Sequence, residues 1–529
     1  MKVLLIAPYD PLRGTCTFSA PPLGVWRMCG FLRHHRIDCM VYDPTLSTDP
    51  YDDLAHLLRE YRPAVVGASL TGMTLPHDLS LVHWAKSILP DAVFLGGGIE
   101  ATFNFAQILS ASPLDFCVAG EGELPLLEIC DSLQKSGSVD PRISGLICRD
   151  AGSFRLNPNC QLDYRLFRFA TLRTPYASMP IRAYWETVQS SWENNEGCCQ
   201  GYGTSPQEIK SIRVMTSNYC PMGCRFCGYT NFLDHSCFGK AAVVRLSAED
   251  IVEVLGSVVA AYPDVQTIIF QDDLFICRND NRIVELCTRL IQQKQERVLP
   301  EKLSFIATTR VDSMRSSYLE VMKRAGFRLI GYGIESFSER VLEEYGKQGI
   351  YRFIDSTLQE TLNNGITPFL DIILASPEST LDDVRLTLNR CLDYLLKGCE
   401  LSIYPTVIPF SGAKIVADPR IQELILREQM MIPRTDTRLV RGTSIQPRSP
   451  EVRLFLTTVG DVYHQYLDHL RESYGLKRFP SRLRSMIYIL SAIETYPELL
   501  RYPGERLRTC IEEPLTGFRR QAEGVAVAH

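Results

Sequence analysis

The chain of 529 residues is 45% apolar and 22% charged, ordinary usage for a globular protein, and at about 150 residues per domain it suggests roughly three or four domains. A net charge of -5 gives no electrostatic case for nucleic acid or an anionic membrane. No apolar run approaches the roughly 18–20 residues of a bilayer span; Met486 to Ile493, the best candidate, is flanked by Arg484 and Glu494. The opening Met-Lys-Val-Leu-Leu-Ile-Ala-Pro-Tyr-Asp reads as a first strand and not as a signal peptide. A cytoplasmic protein is expected, whose 18 cysteines are reduced thiols or metal ligands instead of disulfides.

Residues 1–138 alternate short apolar runs with helical patterns. Strands are expected over Lys2 to Ala7, Met40 to Tyr42, Ala64 to Leu70, Ala92 to Leu95 and Phe116 to Ala119. Helices fall between them, over Val25 to Leu32, Tyr51 to Tyr61, Leu79 to Leu89 and Leu124 to Leu133. Continuous apolar strands between amphipathic helices imply a parallel sheet covered on both faces, a doubly wound α/β domain with its ligand at the carboxyl ends of the strands. Residues 139–209 read as a connector, with short strands over Ile143 to Arg149 and Ser153 to Asn157, then a polar stretch containing Cys198-Cys199, taken as loop or core thiols.

Residues 210–415 alternate again. Strands over Ile212 to Thr216, Thr267 to Phe270, Leu303 to Thr308, Leu329 to Gly333, Pro368 to Leu374 and Leu401 to Val407 make six βα units, a full or partial barrel. Residues 416–529 show no strand alternation. Phe455, Val459, Val462, Tyr463, Tyr466 and Leu470 form one helical stripe, so a helical C-terminal domain is expected, its stripe packed in the core.

The strongest chemical signal is Cys220-Pro-Met-Gly-Cys224-Arg-Phe-Cys227, just past the first barrel strand. Three thiolates in one loop can hold three irons of a cubane and leave the fourth open for a ligand. Zinc would need a fourth ligand, which His235 or Cys237 could supply.

Cys-x3-Cys-x2-Cys with an aromatic before the last Cys resembles the signature of radical S-adenosylmethionine (SAM) enzymes. Further segments carry the likeness. Phe270-Gln-Asp272-Asp273-Leu-Phe275 and Thr309-Arg310-Val-Asp312 resemble the ends of the second and third barrel strands. Gly331-Tyr-Gly333-Ile334-Glu335-Ser336, followed by Val341-Leu342 and Lys347, is similar to the family's "GIES…VL…K" segment. Ser376-Pro377-Glu378-Ser379-Thr380 resembles a "GxPGET" loop lacking both glycines, and Pro409-Phe-Ser411-Gly412-Ala-Lys a "PxPGT" turn with Ser for Pro and Ala for Thr.

The first domain resembles the cobalamin-binding domain that precedes many such barrels, through Pro22-Leu23-Gly24, Ser69-Leu-Thr71, Gly96-Gly97-Gly98 and Asp115-Phe-Cys-Val-Ala-Gly120-Glu121-Gly122-Glu123. The Asp-x-His-x-x-Gly that would bring a lower His ligand to cobalt is absent; His77 and His83 are read as surface or helix histidines. The resemblance implies cobalamin held base-off in 1–138 by Ser69, Thr71, Gly97, Gly98, Gly120 and Glu121. It also implies a partial (β/α)6 barrel over 210–415 with a 4Fe-4S cluster on Cys220, Cys224 and Cys227. SAM would meet Phe226, Asp272, Asp273, Arg310, Glu335 and Ser336. The implied activity is radical C-methylation of a small molecule through a 5′-deoxyadenosyl radical and methylcobalamin, with flavodoxin or ferredoxin as electron donor. A cyclase or ring-rearranging enzyme of the same family is the second reading, and a non-catalytic cobalamin sensor a remote third.

Overall fold

The computed structural model describes residues 1–11, 19–193, 203, 205–475, 479, 481–498, 507–509 and 511–512. Cys198-Cys199 lies outside them. The apolar runs of the first third pair into one sheet: β1 (Lys2–Ile6), β2 (Asp38–Tyr42), β3 (Val65–Ser69), β4 (Val93–Gly97), β5 (Phe116–Val118), β6 (Leu146–Asp150) and β7 (Ser153–Leu156). Their order is β2-β1-β3-β4-β5-β6-β7. The first five run parallel, while β6 and β7 add on antiparallel. Ala151 and Gly152, both at positive φ (45° and 85°), close that hairpin with the backbone twist a tight β-turn needs. It lies in the segment read from sequence as a connector, yet it belongs to the first sheet.

Both faces of this sheet are buried. Leu4 and Ile6 enter one core cluster with Val66 and Phe94, whereas Val3 and Leu5 enter another with Val25, Phe31 and Ile129. Successive strand residues point to opposite faces, so a strand covered on both sides must be apolar throughout.

The second sheet runs in strict sequence order: β8 (Ser211–Val214), β9 (Thr267–Phe270), β10 (Ser304–Thr309), β11 (Phe327–Glu335), β12 (Thr367–Ala375) and β13 (Glu400–Thr406), all parallel. β8 and β13 do not pair, so the barrel is partial. An apolar plug of Ile269, Ile306, Leu329 and Phe369 fills its floor. Outside, Phe270 and Phe275 stack at 4.3 Å between centroids, and Phe305 and Phe327 join them at 5.4–6.1 Å.

An open barrel leaves two strand edges with unpaired backbone groups. Helices cover both. Trp185 Nε1, on the helix Ile181–Glu193, donates to the Ser211 carbonyl at 2.9 Å. Ser485 Oγ, on the helix Ser481–Thr495, donates to the Leu401 carbonyl at 2.7 Å, beside an Arg482–Glu400 ion pair at 3.3 Å.

The C-terminal region is helical, as expected, over Pro450–Tyr474 and Ser481–Thr495, with Phe455, Val459 and Leu470 buried. One correction applies: an antiparallel hairpin, β14 (Ile425–Met431) and β15 (Arg438–Ile445), precedes the helices. Arg427, Glu428 and Gln429 of β14 are all exposed, so the strand carries no apolar alternation to read. What anchors the hairpin is its tip. Ile432 and Leu439 are buried in the core of the first domain, and the Arg434 guanidinium lies 3.6 Å from the centroid of the Tyr51 ring.

Phe305→Ala should destabilise the barrel by about 3–5 kcal/mol, the usual cost of emptying a buried aromatic site; denaturant unfolding of the anaerobic protein checks this.

Candidate active site

Cys220, Cys224 and Cys227 follow β8 at its carboxyl end. Gly223 takes φ +68°, a turn that a side chain would strain. The loop is pinned from two directions: the Arg225 N–H donates to the Tyr345 carbonyl at 2.9 Å, and the Ile415 N–H to the Arg225 carbonyl at 2.8 Å. Backbone N–H groups point at the sulfurs, from Met222 to Cys220 and from Thr230 and Tyr229 to Cys227. Burial, then the neighbouring Asp273 and the other thiols, pushes Cys220 up to about 12 and Cys227 to about 11. Three mutually close thiols with N–H donors fit an iron–sulfur cluster, whose positive irons would reverse that penalty. The two residues offered as a fourth zinc ligand are engaged elsewhere: His235 packs its ring 4.9 Å from Phe103, and the Cys237 thiol lies against Ser236.

The residues expected around SAM fall into two groups. Asp273 sits on the wall of the barrel mouth, accessible to water yet enclosed by protein. Enclosure, then Asp272, raises it to about 6. Phe226 is half-buried, edge-on to Tyr345 at 5.1 Å, with Lys347 Nζ 5.6 Å from its ring centroid. The other four are engaged by the protein itself. Asp272, 4% exposed, accepts from the Thr216 N–H and hydroxyl, both at 2.9 Å, and from the Ser217 hydroxyl at 2.5 Å, stitching β9 to the end of β8. Arg310 makes two bonds to Asp312, at 2.9 and 3.1 Å. Its charge is still felt by Cys220 and Cys224, so it faces the cluster loop. Glu335, at φ +63°, holds Lys347 at 2.6 Å. Ser336 is fully buried against Thr387 at 3.1 Å and takes the Ser338 N–H. Asp272 and Ser336, expected to meet SAM, are thus held by protein partners at the ends of β9 and β11.

The cobalamin set divides likewise. Ser69 ends β3 and Thr71 lies two residues beyond it; the Thr71 hydroxyl is 2.7 Å from that of Thr74. A Cβ at Gly97 would meet nothing within 4 Å, whereas one at Gly98 (φ +95°) would press the Leu70 carbonyl at 3.0 Å. Bare backbone beside open space is what a bulky ring needs, so this edge fits the cofactor. Gly120 and Glu121 are engaged by other parts of the protein. A Cβ at Gly120 would collide with Ser236, which makes that glycine an interdomain contact. Glu121 is buried beside Arg27 at 3.9 Å and accepts the Leu162 N–H at 2.9 Å. His77 lies edge-on to Tyr9 at 5.7 Å, and His83 Nε2 lies 3.0 Å from the Ala111 carbonyl.

A cleft of about 700 Å³ opens between the carboxyl edge of the first sheet, the helix Tyr229–Ser236, the loop after β13 and the β14–β15 hairpin. Sequence reasoning missed its polar residues. Ser411 Oγ donates to Glu100 at 3.0 Å and lies 2.7 Å from Asn104 Nδ2, so the knot spans both domains. Asn231 donates to the Gly412 carbonyl at 2.8 Å. Tyr229 opens the helix that forms this wall; it is 57% exposed, and its hydroxyl is pushed up to about 12 by enclosure, then by Asp273, Cys227 and Glu100. Glu100, two residues past the glycine run, and Tyr229, two past the last cysteine, were the only signals present.

The B12 binding domain model matches residues 9–130, and the Radical SAM superfamily model matches residues 214–391. The chain is a radical SAM enzyme with an N-terminal B12-binding domain, and its cofactors are a 4Fe-4S cluster, SAM and cobalamin. Among curated proteins it is 25% identical to the uncharacterized methyltransferase PH0819 of Pyrococcus horikoshii, over 78% of this chain and 82% of that one. It is 24% identical to the anaerobic magnesium-protoporphyrin IX monomethyl ester cyclase of Cereibacter sphaeroides, over 66% of this chain; the match spans about half (52%) of that cyclase. Its fold is shared with the radical SAM methyltransferase TsrM of Kitasatospora setae, solved with tryptophan and a SAM analogue (TM-score 0.69, 14% identity, 99% of both chains). It is shared also with the cobalamin-dependent SAM radical enzyme OxsB (TM-score 0.63, 14% identity, 94% of this chain and 80% of that one). No helix among the described residues is long and apolar enough to cross a membrane.

Replacing Cys220, Cys224 and Cys227 together with Ala should remove the brown chromophore and bound iron, read by iron and sulfide analysis; full iron retention would refute the cluster assignment. Asp272→Asn and Asp273→Asn should separate. The first loses charged hydrogen bonds and should lower stability by about 1.5–3 kcal/mol. The second should leave melting unchanged and weaken SAM binding by a similar amount, measured by equilibrium dialysis.

Proposed function

We propose that this enzyme methylates an unactivated carbon of a small molecule, consuming one SAM as radical source and a second as methyl donor through cobalamin. The carrying observation is that one continuous segment, 220–236, supplies the cysteine loop and then, without a break, a wall of the interdomain cleft. The same segment passes beside the end of β4, where a Cβ at Gly228 would lie 3.4 Å from Ile99, which supports cofactor sites that neighbour one another. The methyltransferase names of the Pyrococcus relative and of TsrM support the same reading.

The cluster supplies an electron that cleaves SAM, and cobalamin supplies a transferable methyl group. The chain's own residues bind and shield. Cys220, Cys224 and Cys227 hold the cluster, while Phe226 and Tyr345 screen it on one side. Asp273 takes the SAM ammonium as a charge-assisted hydrogen bond. Arg310, oriented by Asp312, presents positive charge toward the loop and the SAM carboxylate. Ser69, Thr71, Gly97 and Gly98 cradle cobalamin at the sheet edge. Bound cofactors and substrate filling the cleft and barrel mouth would displace the water that otherwise quenches a radical. An acidic redox protein of the flavodoxin or ferredoxin kind delivers the electron.

A cyclase is the second reading, favoured by the magnesium-protoporphyrin ester cyclases among the relatives. Turnover with methyl-labelled SAM separates them. Methylation should yield both 5′-deoxyadenosine and S-adenosylhomocysteine, with label on a product carbon. Deoxyadenosine alone, with no label transfer, would favour cyclisation and refute methylation.

A further inference from the structure

Asp371 lies midway along β12, and neither the cluster, SAM nor cobalamin assignment uses it. Phe369, two residues earlier, is part of the apolar plug on the barrel floor. Side chains two apart share a face, so Asp371 is the next group above the plug and points into the lumen. Its register partners are Gly333 on β11 and Ser402 on β13. Gly333 has no side chain to cover it, and the space in front of that glycine holds the Glu335–Lys347 pair: a Cβ there would come within 2.8 Å of Glu335 Oε1 and 3.2 Å of Lys347 Nζ. Ser402 is followed on the same face by Tyr404, a 43% exposed aromatic that hydrogen-bonds to it.

Among the described residues no hydrogen-bond donor meets the Asp371 carboxylate. The nearby cation, Lys347, is committed to Glu335 at 2.6 Å and to the Gly333 carbonyl at 2.7 Å. Arg484 faces Tyr404 from the barrel seam and does not register at Asp371. With Asp371 ionised, Asp371, Glu335 and Lys347 would carry one net negative charge between them. Enclosure, then the charge of Glu335, holds the Asp371 carboxyl up at about 7, partly offset by Lys347. A half-buried carboxylate without a partner is costly, and the cost is relieved by an incoming cation with N–H donors.

We propose that Asp371 forms the floor of the substrate subsite and binds a protonated amine of the substrate, beside the Ser402 and Tyr404 hydroxyls. This deepens the small-molecule reading above by naming a substrate class: compounds carrying a basic nitrogen, with the ammonium group seated at the barrel floor.

The test uses the cluster- and cobalamin-loaded enzyme with saturating SAM, and a probe pair matched in shape, phenethylamine and 2-phenylethanol, with binding read by calorimetry. The wild type should bind the amine at least tenfold more tightly than the alcohol. Asp371→Asn should abolish that preference while keeping iron content and SAM affinity, and Asp371→Ser, smaller and uncharged, should do the same should the first variant fold poorly. Equal affinity for the two probes, failure of either to bind the wild type, or a preference that survives both variants would overturn the proposal. Because the readout is binding, it can fail while label transfer succeeds, or succeed while label transfer fails, so the two readings stand or fall separately.

Discussion

The site depends on one contact, the seating of Ser411 where three segments meet. Its carbonyl lies so close to Gly228 that any side chain there would collide with it. Its hydroxyl donates to Glu100, on the first domain, and meets the Asn104 amide. The next residue, Gly412, has no room for a Cβ beside the Phe103 ring. The loop after the last barrel strand thus locks the cysteine-bearing segment to the carboxyl edge of the first sheet. Two glycines make the approach possible, and a buried polar knot fixes its register.

Around that lock the architecture solves a second problem. A six-stranded barrel that does not close exposes two strand edges, and each is covered by a helix from outside the barrel, one from residues before it and one from the C-terminal region. The β14–β15 hairpin then reaches back, burying Ile432 and Leu439 in the core of the first domain. The Ser80 hydroxyl donates to the Pro433 carbonyl at 2.6 Å, which adds a polar tie at the same tip. The C-terminal region, which carries no motif, is thereby the strap that holds the cofactor domain over the barrel mouth.

The electrostatics of the mouth follow from enclosure. Carboxylates that line it divide by partner. Asp272 accepts from three donors and Glu335 is paired with Lys347, whereas among the described residues Asp273 and Asp371 have no protein cation in contact. Unpaired acids on the wall of a recess are the groups left over for ligands. Adjacent residues in one motif, Asp272 and Asp273, end up in opposite environments, one buried and one exposed, because successive residues at a strand end point in opposite directions.

Much of the fold was legible in the chain because its signals are local. Apolar runs such as Thr267 to Phe270, short and bounded by helical patterns, fit buried strands, and cysteines with three and two residues between them need only one loop to converge. Glycine spacing at 96–98 likewise marked a bare strand end. Roles that depend on distant partners were not legible. Arg27 and Leu162 turned Glu121 inward, Thr387 enclosed Ser336, and Ser236 met Gly120; each partner lies tens of residues or more away in sequence. The exposed hairpin at 425–445 left no periodic trace, since its burial is confined to the tip and is decided by another domain. The sequence by itself determined the strands of the two parallel sheets and where sulfur gathers. Only tertiary packing decided which acids are paired and which face the chamber, because pairing is set by contacts across the fold and not by neighbours along the chain.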